Sequence, residues 1–309
     1  METLEELCGL GEGIYSELIK HKDIQFIVCP ASLGDTVNIG AYIGTYKRVH
    51  KVDKVVLVVK KHHVPLVGIF TGVDGAFELS DDEMIGLRFY LTVFKKEKTQ
   101  NVLYGYFPMK ENMLWETSNI KIFNFVDEYK AKILDIPLDS MIDDIRPGTV
   151  DETDNNRFSN SVLFMPFCQG TWRCRDEFWN GLIDLYRKQG VKEIYTNIGN
   201  PKDYALEGTE GLSLSVPDLL RYSGQFRKII GIRGGIFDVL ALRNDVKLDV
   251  ITPDLETCFW GKCEIDVNRH PLYFGLKNLN PNAKVREYSY TEGCDEALIN
   301  EINDPNAKY

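Results

Sequence analysis

The first strong hydrophobic block is Asp23-Ile-Gln-Phe-Ile-Val-Cys29, an apolar run of strand length. It gives way to the turn-rich Pro30-Ala-Ser-Leu-Gly34-Asp35. From Thr36 to Val49 the apolar residues Val37, Ala41, Ile43 and Tyr46 follow a helical spacing. Lys54-Val-Val-Leu-Val-Val59 lacks alternation and is β-branched, the signature of a strand buried on both faces. Strand, loop, helix and strand in about forty residues predict a βαβ unit with its loops at the strands' carboxyl ends. Beyond it the pattern predicts a helix over His63 to Phe70, a strand over Asn101 to Phe107 and a helix over Phe123 to Leu134. Gly86 to Lys95 fits a strand or a helix equally.

Arg146 to Arg157 is polar with almost no apolar anchor, and reads as a linker. The same programme then restarts. Ser161 to Pro166 is a predicted strand and Cys168 to Arg173 its loop. Asp176 to Gln189 is an amphipathic helix burying Phe178, Leu182, Ile183, Leu185 and Tyr186, and Gly190 stops it. Glu193 to Thr196 is a strand and Asn197 to Pro201 its loop. Val216 to Tyr222 is a helix with Pro217 at an early position, where proline is tolerated. Lys228 to Ile232 is a strand, followed by the Arg233-Gly-Gly235 turn, a helix over Ile236 to Leu242 and a strand over Lys247 to Ile251. The expected architecture is therefore α/β, with Rossmann-like domains over residues 1–150 and 151–309.

Composition narrows the class. Among 309 residues, 44% are apolar and 27% charged, as in soluble globular proteins. A net charge of -10 argues against nucleic acid as a partner. Local basic stretches (Lys47-Arg48 with Lys51 and Lys54, Lys60-Lys61-His62-His63, and the acid-mixed Lys95 to Lys98) read as solvated faces. The sharper alternative is contact with an anionic acceptor or a peripheral membrane surface. The amino terminus begins acidic without an apolar leader, and no apolar run has the length of a spanning helix. Seven cysteines at irregular spacing point to free thiols and a cytoplasmic setting, and neither they nor the five histidines form a zinc pattern. No metal site is expected.

Three glycine-containing loops fall at strand carboxyl ends: Ser32-Leu-Gly-Asp35, Gln169-Gly-Thr-Trp-Arg173 and Arg233-Gly-Gly-Ile-Phe-Asp238. At Gly234-Gly235, free backbone N–H groups at a helix start suit an anion, and the Arg233 fork matches phosphate oxygens. The bland alternative is a tight turn or close helix–strand packing. Gln169, Gly170, Thr171 and Arg173 repeat the pattern, with Trp172 read as core. Asp35 has two readings, a helix N-cap or a general base for an acceptor hydroxyl. Gly9-Leu-Gly-Glu-Gly13 follows no strand and is no dinucleotide fingerprint, and neither a GxxxxGK[ST] loop nor a GxSxG elbow occurs.

These motifs resemble the heptosyltransferase-like glycosyltransferases of GT-B fold. The likeness lies in Ser32-Leu-Gly-Asp35 after the first strand and in the order Trp172 loop, Phe178 to Ile183 helix, strand to Thr196, Leu212-Ser-Leu214 and Ile230-Gly-Ile-Arg-Gly-Gly235. It spans about residues 23 to 245. The resemblance implies two Rossmann-like domains facing across a cleft and metal-independent, inverting transfer from a nucleoside diphosphate sugar to a glycan, lipid-linked or protein acceptor. It makes Asp35 the base, with Ser32 and Gly34 on the acceptor side. The donor falls to Gln169, Gly170, Thr171, Arg173, Asn197, Gly199, Pro217, Arg233, Gly234, Gly235 and Asp238. Arg233-Gly-Gly-Ile-Phe237 stands where that family carries an Asp-Ser-Gly-Pro-like turn, which leaves the donor sugar open. No cofactor is implied. Two rivals remain: a non-catalytic subunit supporting an active glycosyltransferase, and an NAD-type Rossmann enzyme, for which a GxGxxG loop is missing.

Overall fold

The structure, a computed structural model, describes residues 4–309 except 31, 97, 100, 106–123, 149–156, 169–173, 201, 254–274, 292 and 305. The chain divides into two compact units, Met1–Arg146 and Pro147–Tyr309.

The first unit runs α1 (Leu4–Leu18), β1 (Gln25–Val28), α2 (Leu33–Gly40), α3 (Ile43–His50), β2 (Val55–Lys60), α4 (Val64–Val67), β3 (Gly75–Leu79), α5 (Asp81–Val93), β4 (Val102–Tyr104) and α6 (Phe125–Glu128). The last helix continues as a π-helical turn over Tyr129–Leu134. Its strands are all parallel, in the order β3-β2-β1-β4. Phe26, Val28, Val56 and Val58 face a core closed by Tyr15 and Leu18 of α1 and Met84, Leu87 and Leu91 of α5. The alternate positions Ile27, Leu57 and Val59 are fully buried as well. Burial on both faces is why β1 and β2 read as continuous apolar runs.

One expectation needs correction here, one open alternative is settled, and two elements that the pattern left unassigned are added. The stretch from Thr36 to Val49 is two helices, α2 and α3, separated at Ala41 and Tyr42, and the first starts at Leu33. Of the stretch from Gly86 to Lys95, all up to Val93 is helical, in α5, which starts at the Ser80–Glu83 capping box. The edge strand β3 is not evident from the sequence, because Gly75 and Glu78 leave it only Ala76, Phe77 and Leu79 as apolar residues, and of these Leu79 alone is buried. Leu4–Leu18, with its three glycines, is a helix.

The second unit runs β5 (Ser161–Met165), α7 (Asp176–Lys188), β6 (Glu193–Asn197), β7 (Glu210–Leu212), α8 (Val216–Tyr222), β8 (Lys228–Ile232), α9 (Gly235–Ala241), β9 (Lys247–Pro253), α10 (Leu276–Leu279), β10 (Lys284–Tyr290) and α11 (Asp295–Ile302). Its parallel strands are ordered β10-β9-β8-β5-β6-β7. That is the doubly wound Rossmann order, with its topological switch between β5 and β8. Val162, Phe164, Ile230 and Ile232 face α7 and α11, while Leu163, Met165 and Ile229 face α8 and α9. In α7 the predicted apolar stripe is buried, with Trp179 added and Leu185 only partly covered. Among the described residues no helix is long and apolar enough to cross a membrane.

Candidate active site

In a doubly wound sheet the loops leaving the carboxyl ends of strands beside the switch point are the ones a ligand meets. In the first unit that place is the end of β1, flanked by β2 and β4. Ser32 is the N-cap of α2, with φ -83° and ψ 174°, and Asp35 is the third helical residue. The Ser32 hydroxyl accepts from the Asp35 amide, and the Asp35 carboxylate accepts back from the Ser32 amide at 2.7 Å. This capping box corrects the reading of Asp35 as the cap itself. The Ser32 hydroxyl also lies 2.5 Å from Asp35 Oδ2.

The other carboxylate oxygen, Oδ1, accepts from the Tyr129 hydroxyl. Tyr129 is 1% exposed and stands in the π-helical turn that follows α6, so its ring is held by packing. A carboxylate offers about four acceptor positions, and among the described residues three donors are in place here, which leaves one for an incoming proton. Asp35 itself is half-buried. Ser32 and Asp35 are therefore joined as the sequence suggests, with Gly34 buried between them.

Beneath this turn the polar contacts continue. Thr36 is fully buried, and its hydroxyl lies 3.3 Å from the Ser32 carbonyl and 3.3 Å from His63 Nδ1. His63 comes from the end of β2, and burial, reinforced by His62 and Lys60, pushes its pKa down to about 4. The ring is thus neutral at neutral pH, unlike the solvated histidine the sequence suggested. Asn38 donates to the Gly34 carbonyl at 2.8 Å, while its buried Oδ1 has no partner among the described residues.

In the second unit, β6, β5 and β8 are neighbours, so the loops after Asn197, Met165 and Ile232 leave one edge side by side. Gly234 is extended, with φ -166° and ψ 171°, so it is not there for a left-handed backbone. A Cβ would sit 2.5 Å from Cys168 Sγ, so the two loops pack closely at the switch point and a larger residue would have to displace that thiol. Gly235 opens α9. Arg233, whose side chain is 14% exposed, does not point its fork outward. Its two terminal nitrogens bind both Asp238 oxygens at 2.9 and 2.8 Å, and Nη1 also donates to the Gly234 carbonyl. Asp238, the acid of the first turn of α9, is thereby the partner of Arg233. Nearby Glu287 is pushed up by burial against the attraction of Arg233.

Asn197 ends β6 and is paired with Leu212 of β7, and Gly199 follows in its loop, where a Cβ would approach the Asn197 amide. Pro217 stands at the start of α8 behind the N-cap Ser215, which accounts for it structurally. Gln169, Gly170, Thr171, Trp172 and Arg173 lie outside the described residues. Tyr129 and His63 are the side chains at the first edge that sequence spacing missed. Tyr129 is 94 positions from Asp35, and only the tertiary fold brings them together.

No protein-family model matches the chain, and no curated protein matches it. Solved structures do. The E. coli heptosyltransferase WaaC with ADP aligns over 91% of this chain and 99% of its own, with TM-score 0.56 and 12% identity. The E. coli ADP-heptose heptosyltransferase II aligns over 91% and 97%, with TM-score 0.59 and 12% identity. A glycosyl transferase family 9 protein from Veillonella parvula aligns over 91% of each chain, with TM-score 0.56 and 9% identity. At such identities the likeness concerns the fold: two Rossmann-like units, as in the heptosyltransferases.

Proposed function

We propose that this chain is a glycosyltransferase that moves a sugar from a nucleoside diphosphate sugar to a hydroxyl acceptor, with Asp35 as the general base. The observation that carries the reading is the Asp35 carboxylate, fixed by Ser32 and Tyr129 at the end of β1 with one acceptor position spare. It occurs in a chain whose fold is that of ADP-heptose transferases. In this reaction Asp35 takes the proton from the acceptor O–H while the oxygen bonds to the anomeric carbon. The bond from that carbon to the diphosphate breaks, and the nucleoside diphosphate leaves, with inversion in a single displacement.

The donor diphosphate belongs, in this reading, at the Gly234-Gly235 turn and the loop after β5, with Asn197 and Gly199 bordering the nucleoside. In this reading the transfer needs no metal, since the backbone N–H groups at the start of α9 balance the leaving charge. The compartment is reducing and cytoplasmic, in keeping with free Cys8, Cys29, Cys168, Cys174 and Cys294. The acceptor is a glycan, a lipid-linked sugar or a protein.

The test combines ligand binding and turnover. Thermal denaturation with UDP, GDP, ADP, CMP and dTDP, with and without EDTA, is expected to show a saturable rise for one nucleotide that EDTA leaves unchanged. With the matching sugar nucleotide, Asp35→Asn is expected to lower kcat by about 10²–10⁴-fold, the usual worth of a positioned base. Donor affinity stays as it was. Loss of donor binding in Asp35→Asn, or a shift with NAD alone, overturns the proposal.

One observation favours the rival reading of a non-catalytic subunit: Arg233 is already neutralised by Asp238. Slow hydrolysis of a sugar nucleotide by the isolated chain excludes that rival.

A further inference from the structure

A second concave site lies at the opposite edge of the six-stranded sheet, away from the switch-point loops. It is a pocket of about 490 Å³ where β8 and β9 begin and where α7 and α11 end. Arg227, Lys228, Lys247 and Arg286 line it, with Asp304 and Tyr309. Beneath lies Asp249, fully buried, which accepts from Lys228 at 2.7 Å and from two nitrogens of Arg286 at 2.8 Å each. One buried carboxylate is thus shared by two cations whose side chains are 14% and 8% exposed.

A buried charge without a counterion is costly. Part of the excess is absorbed locally. Arg286 also donates to the Ile302 carbonyl at the end of α11, and its guanidinium lies 4.7 Å from the centre of the Tyr309 ring. The Lys228 ammonium lies 5.6 Å from the same ring. Arg227 is exposed and holds Gln189, and Lys247 is exposed at the mouth. Asp304 is the remaining acid at the rim. Among the described residues, the four cations face two side-chain carboxylates, Asp249 and Asp304, in a chain whose net charge is -10. A concave, partly desolvated wall concentrates such an excess.

We infer that this pocket is a binding site for a phosphate monoester, separate from the sugar-nucleotide site. Lys247 and Arg227 at the mouth meet the phosphate oxygens first, and the Lys228–Arg286 pair supplies the positive floor. The phosphate can come from a free small molecule or from a lipid headgroup, and the chemistry of recognition is common to both. The inference does not depend on the chain being a glycosyltransferase.

The experiment uses the full chain and its Arg227→Gln/Lys247→Gln double variant. Both positions are exposed, so the substitutions leave the core intact. Calorimetric titration with inorganic phosphate at constant ionic strength reads the free source. Co-sedimentation with phosphatidylcholine vesicles, with and without phosphatidic acid, reads the lipid source. Saturable binding of one probe by the native chain is expected. Each lost charge-assisted contact is expected to weaken it at least about tenfold in the double variant. Binding of neither probe overturns the site, and so does equal binding by the native chain and the double variant.

Discussion

At Asp35 the useful property is orientation, and the residue that supplies it from outside the turn is Tyr129. The phenol donates to Oδ1, while the capping box fixes Oδ2. Tyr129→Phe keeps the buried ring and removes that one donor. Donor affinity is expected to stay the same while kcat falls, and the substitution is expected to add nothing further in an Asp35→Asn background. Such non-additivity is how two groups acting through one step announce themselves in a double-mutant cycle. An equal fall in both backgrounds makes Tyr129 a structural residue only.

His63 gives a second measurable handle at the same scale. Its folded pKa is about 4, against about 6.5 for an unperturbed histidine. The unfolded chain therefore takes up a proton between those values that the folded chain refuses. Its share of stability is present above pH 6.5 and is lost as pH falls toward 4. Urea denaturation of His63→Gln is expected to show lower stability than the native chain at pH 7. The further loss between pH 7 and pH 5 is expected to be smaller than in the native chain. A parallel loss in both proteins assigns the acid sensitivity to other groups. Neither Tyr129 nor His63 was legible as a partner of the Asp35 turn. Spacing along a chain carries no information on which side chains a sheet edge collects. Asp35, one residue from Gly34 after a predicted strand, was legible.

Among elements, α1 shows what a glycine pattern means when no strand precedes it. Gly11 is buried against α5, and a Cβ there would overlap the carbonyl oxygen of Gly86. The two helices approach by backbone contact, which neither can yield without separating. Gly13, two residues on, is exposed and has nothing near its missing Cβ. Gly11→Ala is expected to destabilise by about 1–3 kcal/mol through overpacking. Gly13→Ala is expected to stabilise by about 0.5–1 kcal/mol by restricting the unfolded chain. The pair is read by chemical denaturation, and equal effects contradict the close helix contact. Sequence pattern found β1, β2, β5 and β8 because both of their faces are buried and each carries at least three apolar residues in close succession. It missed β3 and β7, whose positions are half-buried or exposed apart from the buried Leu79. It missed β10 as well, because Arg286 and Glu287 interrupt the run while making polar contacts inside the fold.

For the molecule as a whole, charge separates the two anion sites argued above. A chain of net charge -10 repels an anionic donor at long range, so capture has to come from short-range groups. At the Gly234-Gly235 turn, Arg233 is balanced by Asp238, and Glu287 lies close by. No excess of positive charge accumulates there among the described residues. The pocket with Lys228, Lys247, Arg227 and Arg286 carries such an excess, with two of its cations exposed. Screening acts over about 10 Å at 0.1 M salt and weakens attraction and repulsion alike. Raising sodium chloride from about 50 to about 500 mM is therefore expected to leave nucleoside diphosphate affinity unchanged or slightly improved, while phosphate binding at the basic pocket falls. Calorimetry at the two salt concentrations measures both. A steep fall in nucleotide affinity would mean that Arg233 leaves Asp238, or that Arg173 is engaged, when the diphosphate binds. The Gly-Gly turn would then be a cationic site in the bound state, as its sequence first suggested.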